Sequence, residues 1–395
     1  MAGRASLAFL GQEDLALSAD PEVTYFVEKY TGSTQFSTRL DKVQFENGVV
    51  NFGQENIIYV PKSGDLITGM YLKVLFPNLG FGIQVLDSVG TLLVDFIELY
   101  IGNLLIERIY GEFLEMKFDL EVPTGKQTSL QGLIGKSPVA TKTTYSPAAS
   151  TYTIPLPFSC FSSGLPLCAI KDPIFFRISF APSVLFTYPS ILYTRPVTSY
   201  LHVEYTYLSD PEVQFIKSKP QMHPVEQVQR QAFFAPVGTS NVQCLLQFVN
   251  PVKELFFVIQ NNTALGYDFS NTASATLNTT FGTGDQLTQL NLFFNSTERI
   301  STDVGSPLFL STIQALEYHT RNPDRVFYTY SFSIDPEGDV PSGAVNMSMI
   351  KNQILQLSLS PSQAAREIRV YASSYNFLHF ENGETRLEFP NAEVS

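Results

Sequence analysis

Residues 154–180 read IPLPFSCFSSGLPLCAIKDPIFFRISF, and their pattern excludes a helix. Pro155 and Pro157 interrupt an apolar run, so this segment is neither the interior of a helix nor a fully hydrogen-bonded central strand. Beyond Asp172-Pro173 the apolar residues recur at every second position, as in a half-buried strand: Phe176, Ile178 and Phe180. The segment therefore predicts a chain that leaves one sheet near its edge and crosses to a second sheet packed against the first.

The composition agrees with many short strands. The 395 residues are 44% apolar and include 32 Phe and 19 Tyr, which favour strands, while 24 Pro and 24 Gly favour turns. The length predicts two domains. Only 16% of the residues are charged, against about 25% in ordinary soluble domains. This low fraction indicates either a surface that contacts other subunits or an unusually thick core.

The net charge of −12 argues against a protein that coats nucleic acid, because phosphates must be neutralised by Lys and Arg. Cys160, Cys168 and Cys244 lack metal-binding spacing and are consistent with a reducing compartment. No apolar run reaches the roughly 18 residues of a membrane span, and the N-terminal patch is too short for a signal peptide. We expect synthesis in the cytosol, with no transmembrane segment.

The chain divides into two similar halves. We expect an N-terminal arm at 1–21, a first domain at 22–208, a connection at 209–224 and a second domain at 225–395. Each half shows about eight short strands and a long polar loop, and this spacing is typical of a jelly-roll sandwich. The predicted loops are 122–150 and 261–284. One segment, Tyr110 to Leu120, has the apolar spacing of a helix, and Asn47-Gly48 predicts a hairpin turn.

Two motifs fall short of known binding loops. Gly135-Lys136-Ser137 ends like a phosphate-binding loop, but Leu130 stands where the first glycine is required. The acidic stretch 335–339 begins like a calcium loop, but Val340 and Asn346 replace the glycine and the bidentate acid. A solvated acidic turn is the preferred interpretation there, with an incidental ion as the alternative.

No catalytic constellation stands out. The four histidines, of which His319 has the most polar neighbours, are scattered without metal-binding spacing: His202, His223, His319 and His379. Four carboxylates cluster in sequence and would suit a paired-acid glycosidase only if the fold brought them to an open site: Glu107, Glu112, Glu115 and Asp119. The sequence predicts no enzyme, no catalytic residue, no cofactor and no metal.

Four Asn-x-Ser/Thr motifs are possible glycosylation sites: Asn261, Asn278, Asn295 and Asn346. Several such motifs arise by chance in a chain rich in Ser and Thr. Because three of them fall in or just beyond the second predicted loop, we expect any attached glycan to lie there.

Several segments, in order from about residue 24 to residue 380, resemble the major capsid proteins of nucleocytoplasmic large DNA viruses. The quoted stretch at 154–170 is similar to a family strand that ends in Pro-Leu-Pro-Phe before a turn and a second strand. The segments 99–116, 250–260 and 317–350 resemble further family signatures. The residues that carry this likeness are Tyr110, Gly111, Glu112, Pro155, Pro157, Phe158, Gly164, Lys253, Glu254, Pro341, Ser342, Gly343 and Asn346.

The sequence departs from the family pattern in lacking Trp. Phe113 and Phe256 stand where the family usually carries this larger ring. The chain is also shorter than many members, so we expect modest surface loops.

The resemblance implies an all-β double jelly roll, two consecutive eight-stranded rolls with a few short helices, which forms a homotrimer. Six rolls then make a pseudo-hexagonal capsomer that tiles an icosahedral shell. The implied partners are further trimers, minor capsid proteins and penton proteins, with an internal membrane nearby and no direct contact with nucleic acid. The implied locations are the virion shell and, during synthesis and assembly, the host cytoplasm.

Two alternatives stay open at this point. A transient assembly scaffold of the same fold would show the same sequence features. A carbohydrate-binding jelly roll is a different class of protein, since isolated jelly rolls often serve as lectins. The absence of Trp, a common sugar-stacking residue, argues against that second alternative.

Overall fold

A computed structural model describes residues 11–12, 18–20, 22, 26, 32–80, 82–137, 151–262, 264–269, 286–362 and 364–390. By the density of their contacts, residues 1–36 form one unit and residues 37–395 form another. All elements named below belong to the second unit. The predicted N-terminal arm lies mostly outside the described residues, and the domain boundaries given above stay a prediction.

The first half contains two four-stranded antiparallel sheets. Its strands are β1 (Ser37–Gln44), β2 (Glu55–Val60), β3 (Leu66–Leu75), β4 (Gln84–Val85), β5 (Val94–Ile101), β6 (Leu104–Tyr110), β7 (Thr151–Pro155), β8 (Leu165–Pro166), β9 (Ile174–Phe180), β10 (Thr187–Tyr188) and β11 (Thr198–Tyr207). One sheet has the order β1-β11-β3-β7, and the other has the order β2-β9-β5-β6. The two-residue strand β8 pairs with β3, and β4 pairs with β10.

The second half repeats this arrangement. Its strands are β12 (Gln221–Ala235), β13 (Asn241–Leu246), β14 (Pro251–Asn261), β15 (Leu287–Phe294), β16 (Thr297–Ile300), β17 (Tyr328–Ser331), β18 (Val345–Asn346), β19 (Gln353–Leu359), β20 (Arg366–Glu381) and β21 (Glu384–Leu387). The sheets have the orders β12-β20-β14-β17 and β13-β19-β15-β16. The short strands β18 and β21 extend the first of these sheets by pairing with β14 and β20.

Both halves therefore have one topology. When the accessory strands β4, β8, β10, β18 and β21 are left out, each half has eight main strands. The first, last, third and sixth form one sheet, and the second, seventh, fourth and fifth form the other. This is the order of a jelly roll, and the predicted fold of two consecutive rolls is confirmed. We call the halves the first roll and the second roll.

Helices are few in the part of the chain that the structure describes. The described part of residues 32–390 contains α1 (Val89–Leu92), α2 (Gly111–Glu121), α3 (Thr124–Ile134), α4 (Asp210–Ser218) and α5 (Gln314–Tyr318), which continues a π-helical turn at Phe309–Ile313. Helix α2 confirms the helix predicted at 110–120. The long loop predicted at 122–150 is wrong for its first part, because α3 occupies it. No helix in the described part of the chain is long and apolar enough to cross a membrane.

The stretch at 154–180 makes the predicted crossing. Strand β7 ends at Pro155 on the edge of one sheet, while β9 lies between β2 and β5 in the other. The hairpin predicted at Asn47-Gly48 is wrong. A turn is present, with a positive φ of 67° at Gly48, but the strands on either side of it belong to different sheets.

Candidate functional site

The outer face of one second-roll sheet is buried against the first roll. Along β14, Leu255, Phe257 and Ile259 point into the core of the second roll, whereas Phe256 and Val258 join the core that includes the first roll. Both faces of this strand are buried, which accounts for its nearly continuous apolar sequence. We call this contact between the two rolls the joint.

Helix α2 lies at the joint and begins where β6 ends. A Cβ atom at position 111 would overlap the backbone carbonyl oxygens of Val94 and Thr91, so only Gly111 permits this close approach of helix and strand. Tyr110, just before it, packs edge-on against Tyr371 of the second roll, with 5.9 Å between ring centroids. The Tyr-Gly-Glu signature thus places the first turn of α2 on the second roll.

The start of α2 binds β20 through charged groups and β14 through an aromatic contact. Arg369 donates two hydrogen bonds to Glu112, at 2.7 and 2.5 Å, and Tyr371 donates a third. Burial raises the pKa of Glu112, but the Arg369 charge and these hydrogen bonds outweigh it and lower the pKa. Phe113 packs edge-on against Phe256 at 5.1 Å. The two positions where the family usually carries Trp therefore contact each other.

A second charge cluster joins Arg325 of the second roll to the first roll. Arg325 donates hydrogen bonds to Glu115 and Asp87, each at 2.9 Å, and to the hydroxyl of Ser88 at 2.7 Å. Lys136 lies 3.1 Å from Glu115 and also pairs with Asp119. Burial opposes ionisation of Glu115, but Lys136 and Arg325 lower its pKa to about 2.

A third cluster surrounds Glu226 on β12. Lys117 of α2 lies 3.1 Å and Lys253 of β14 lies 3.2 Å from its carboxylate. The neighbouring Glu107 accepts hydrogen bonds from both the backbone N–H and the hydroxyl of Ser159. Burial and the charge of Glu226 raise the pKa of Glu107 to about 8, so at neutral pH this side chain is mostly uncharged.

Signature residues that are far apart in sequence meet around a cleft of about 380 Å³ beside this cluster. Its lining includes Pro155, Pro157, Phe158 and Lys253. Other signature residues support the turn at 335–339, which forms another wall. Ser342 exchanges hydrogen bonds with the backbone of Asp335, and Lys253 donates to the carbonyl of Pro336.

His319 ties this turn to β14. Its two ring nitrogens lie 2.6 Å from Glu254 and 3.0 Å from Glu337. Burial alone would lower the pKa of His319, but the charge of Glu254 and the two hydrogen bonds raise it to about 10. Glu337, from the stretch that resembles a calcium loop, is thus engaged by a protonated histidine. Within the described ranges, no group of His, Cys, Asp or Glu is arranged to hold a metal ion.

The four carboxylates considered for a glycosidase are accounted for by these contacts. Glu112 pairs with Arg369, Glu115 with Arg325 and Lys136, and Asp119 with Lys136, while Glu107 is held by Ser159. Their partners were missed from the sequence. The available signal was the presence of basic residues within apolar strand patterns, as with Arg369 in EIRVYASS at 367–374.

The remaining predicted residues take no part in the contacts described above. Gly164 turns the chain with a φ of 77°, and Gly343 has a φ of 137°. Among the possible glycosylation sites, Asn295 and Asn346 are exposed and Asn261 is half-buried, while Asn278 lies outside the described residues. Asn346 also accepts a hydrogen bond from the N–H of Ser348, and glycosylation of any of these sites stays a prediction.

Comparison with known families covers nearly the whole chain. Residues 24–208 match the major capsid protein N-terminus, and residues 212–385 match the large eukaryotic DNA virus major capsid protein. The chain belongs to this family of major capsid proteins. It is therefore a structural protein of the virion shell and not an enzyme.

Individual members match this capsid protein end to end. The major capsid protein of Pyramimonas orientalis virus is 26% identical over 98% of this chain and 99% of its own length. That of Phaeocystis pouchetii virus is 22% identical over the same fractions.

Solved structures share the fold. A capsid chain of Paramecium bursaria Chlorella virus 1 aligns over 93% of this chain and 100% of its own, with a TM-score of 0.76 at 20% identity. The Faustovirus major capsid protein aligns over 96% of each chain, with a TM-score of 0.72 at 10% identity.

Proposed function

We propose that three copies of this capsid protein form a pseudo-hexagonal capsomer, and that these capsomers tile an icosahedral shell. The observation that carries the proposal is the identical strand order of the two rolls, held side by side by the joint. Three such chains supply six equivalent rolls, which is the number that a hexagonal tile requires. Copies that meet head to tail close into a ring when the rotation between them fits.

The joint supports the proposal because it holds the two rolls as one body. Its ion pairs are shielded from solvent, and its aromatic pairs link the cores of both rolls. A tile whose six parts were loosely linked would lose orientational freedom on assembly, and this loss opposes binding. Rolls that are already fixed in pairs avoid part of that cost, because three bodies have to be oriented instead of six.

The proposed partners extend beyond the trimer. We infer contacts with neighbouring trimers, with minor capsid proteins beneath the shell and with penton proteins at its vertices. The acidic balance of −12 supports a shell that makes no direct contact with the genome. Synthesis and assembly would take place in the host cytoplasm.

Native mass and particle shape test the proposal. Light scattering should report three times the chain mass of 44.0 kDa, and negative-stain images of the same species should show hexagonal tiles. A stable monomer that binds a sugar column would overturn it in favour of a carbohydrate-binding protein. Mass spectrometry of purified particles separates a shell subunit, which is retained, from a transient scaffold, which is not.

A further inference from the structure

The joint has two sides, one contributed by each roll. The first roll contributes a helix, α2, that follows its fifth main strand, and the second roll contributes the outer face of the sheet β12-β20-β14. Because both rolls have one topology, each also carries the counterpart of the other's contribution. Among the described residues of one chain, the counterpart sheet face and the exposed face of the counterpart helix take no part in the joint. Ala315, on the buried face of that helix, belongs to the core that includes the first roll.

The counterpart sheet face, on β1, β11 and β3 of the first roll, is uncovered. Leu40 is 52% exposed, Leu75 is 40% exposed and Tyr71 is 36% exposed. The equivalent face of the second roll is covered by α2, and its central residues Phe256 and Tyr371 are 4% and 0% exposed. The two matching faces therefore differ in solvent exposure, as expected if the first-roll face lacks the helix that covers the second-roll face.

The same uncovered face carries two lysines and an aromatic ring at one end, with one carboxylate, Glu204, further along β11. Lys42 lies 4.0 Å and Lys73 lies 5.9 Å from the ring centroid of Tyr200, which is between them on the sheet. Among the described residues, neither lysine has a carboxylate oxygen within 4.0 Å. In a chain of net charge −12 this is an unusual surface, and it favours an acidic partner.

The counterpart helix, at 309–318 in the second roll, is uncovered as well. Leu316 is 73% exposed, Leu308 is 58% exposed and Ile313 is 41% exposed. Ile313, Leu316 and Glu317 have the i, i+3, i+4 spacing that places side chains on one helix face. This exposed face is thus apolar and acidic, which complements the apolar and basic face of the first-roll sheet.

Resting on the proposed trimer, we propose that segment 308–317 of one copy docks on the β1-β11-β3 face of the next copy. The contact repeats the internal joint between chains, so that six joints, three internal and three external, close the ring. Leu316 and Ile313 pack against Leu40 and Tyr71, and Glu317 lies against Lys42 or Lys73.

The charges of this external joint match one pair of the internal joint. In the internal joint a helix carboxylate, Glu112, meets a sheet arginine, Arg369, while a helix lysine, Lys117, meets a sheet carboxylate, Glu226. In the external joint a helix carboxylate, Glu317, meets sheet lysines. The external joint thus repeats the Glu112 type of contact, between a helix carboxylate and a cation on the sheet.

Paired variants test the external joint. Leu316→Asp, and separately the double change Lys42→Glu with Lys73→Glu, should raise the dissociation constant of the trimer at least about tenfold. Light scattering over a concentration series measures this constant. Leu192→Asp is the matched control, because Leu192 is also a leucine and is 72% exposed. Adding Glu317→Lys to the double lysine variant should restore the trimer. Circular dichroism and melting temperature verify that each variant is folded.

Cross-linking supplies an independent readout. A carbodiimide joins carboxylates to amines that are in contact, and a mixture of ¹⁵N-labelled and unlabelled chains identifies links between copies. We expect Glu317 to be linked to Lys42 or Lys73 across chains.

The outcomes separate this proposal from the proposed function. A trimer that survives both sets of changes, or that falls apart equally with Leu192→Asp, overturns the external joint and leaves the trimer standing. A wild-type protein that is monomeric at assembly concentrations overturns both.

Discussion

Arg369 on the last main strand of the second roll donates two hydrogen bonds to Glu112 at the start of helix α2 in the first roll. The two residues are 257 positions apart in the sequence. Their contact is shielded from solvent, and Tyr371 adds a hydrogen bond to the same carboxylate. A pair of this kind fixes the orientation of two folded bodies, because both charges must stay together once they are buried.

Replacing Arg369 with alanine should lower the free energy of unfolding by about 3–5 kcal/mol, because it leaves a desolvated carboxylate at Glu112. Urea denaturation of the two proteins measures the difference. The control is Arg39→Ala, since Arg39 pairs with Asp41 at 2.7 Å but is 69% exposed. That change should cost about 0–1 kcal/mol. Equal losses for the two variants would show that burial adds nothing to the Glu112 pair.

Replacing Gly111 with alanine should cost more than about 4 kcal/mol, or prevent folding, because the new Cβ would overlap backbone atoms that cannot move independently. Gly132 in α3 has no atom within 4 Å of an added Cβ. The matched change Gly132→Ala should therefore raise stability by about 0.5–1 kcal/mol. Yields of soluble protein and melting temperatures compare the two. A tolerated Gly111→Ala would mean that α2 does not approach β5 as closely as described.

Glu107 should make the protein less stable as pH rises. Between its ordinary pKa of 4.5 and its folded pKa of about 8, the unfolded chain releases this proton while the folded chain retains it. The free energy of unfolding then falls across that range. Glu107→Gln keeps an acceptor for Ser159 and removes the titration, so its stability relative to wild type should increase from pH 5 to pH 9. If the difference in the free energy of unfolding between Glu107→Gln and wild type were the same at pH 5 and pH 9, this prediction would be wrong.

His319 should stabilise the protein most at low and neutral pH. Its pKa rises from 6.5 in the unfolded chain to about 10 in the folded one, so its contribution is complete below 6.5 and is lost as pH approaches 10. His319→Gln leaves Glu254 and Glu337 without the cation between them, and we expect a loss of about 3 kcal/mol or more at neutral pH.

The loss from His319→Gln should shrink towards pH 10. The control is His379→Gln, because His379 lies 2.9 Å from a half-exposed Glu388. That change should cost about 0–1 kcal/mol. If His319→Gln and His379→Gln caused the same loss of stability at every pH, the contact between His319 and Glu254 would not be ionic.

The strands were predictable because alternation is a local property. A strand with one buried face must alternate, as in Phe176, Ile178 and Phe180, and two prolines within a few residues exclude a helix. Helix α2 was predictable for the same reason, from apolar residues at helical spacing. Helix α3 was missed, because its sequence TGKQTSLQGLI is mostly polar. It is held by contacts from elsewhere, including Gln127, which donates to the carbonyl of Phe118 at 2.8 Å.

The sequence by itself determined that the chain is mostly short strands with a helix at α2, that it divides into two similar halves and that it resembles a known family, since all three depend on residue order and local spacing. Only the tertiary structure decided that Asn47-Gly48 joins two sheets and that Glu112 meets Arg369. It also decided which faces stay open. The physical reason is that burial and charge pairing depend on distances in space between residues far apart in the chain, and topologically matching sheet faces are buried on one roll and exposed on the other.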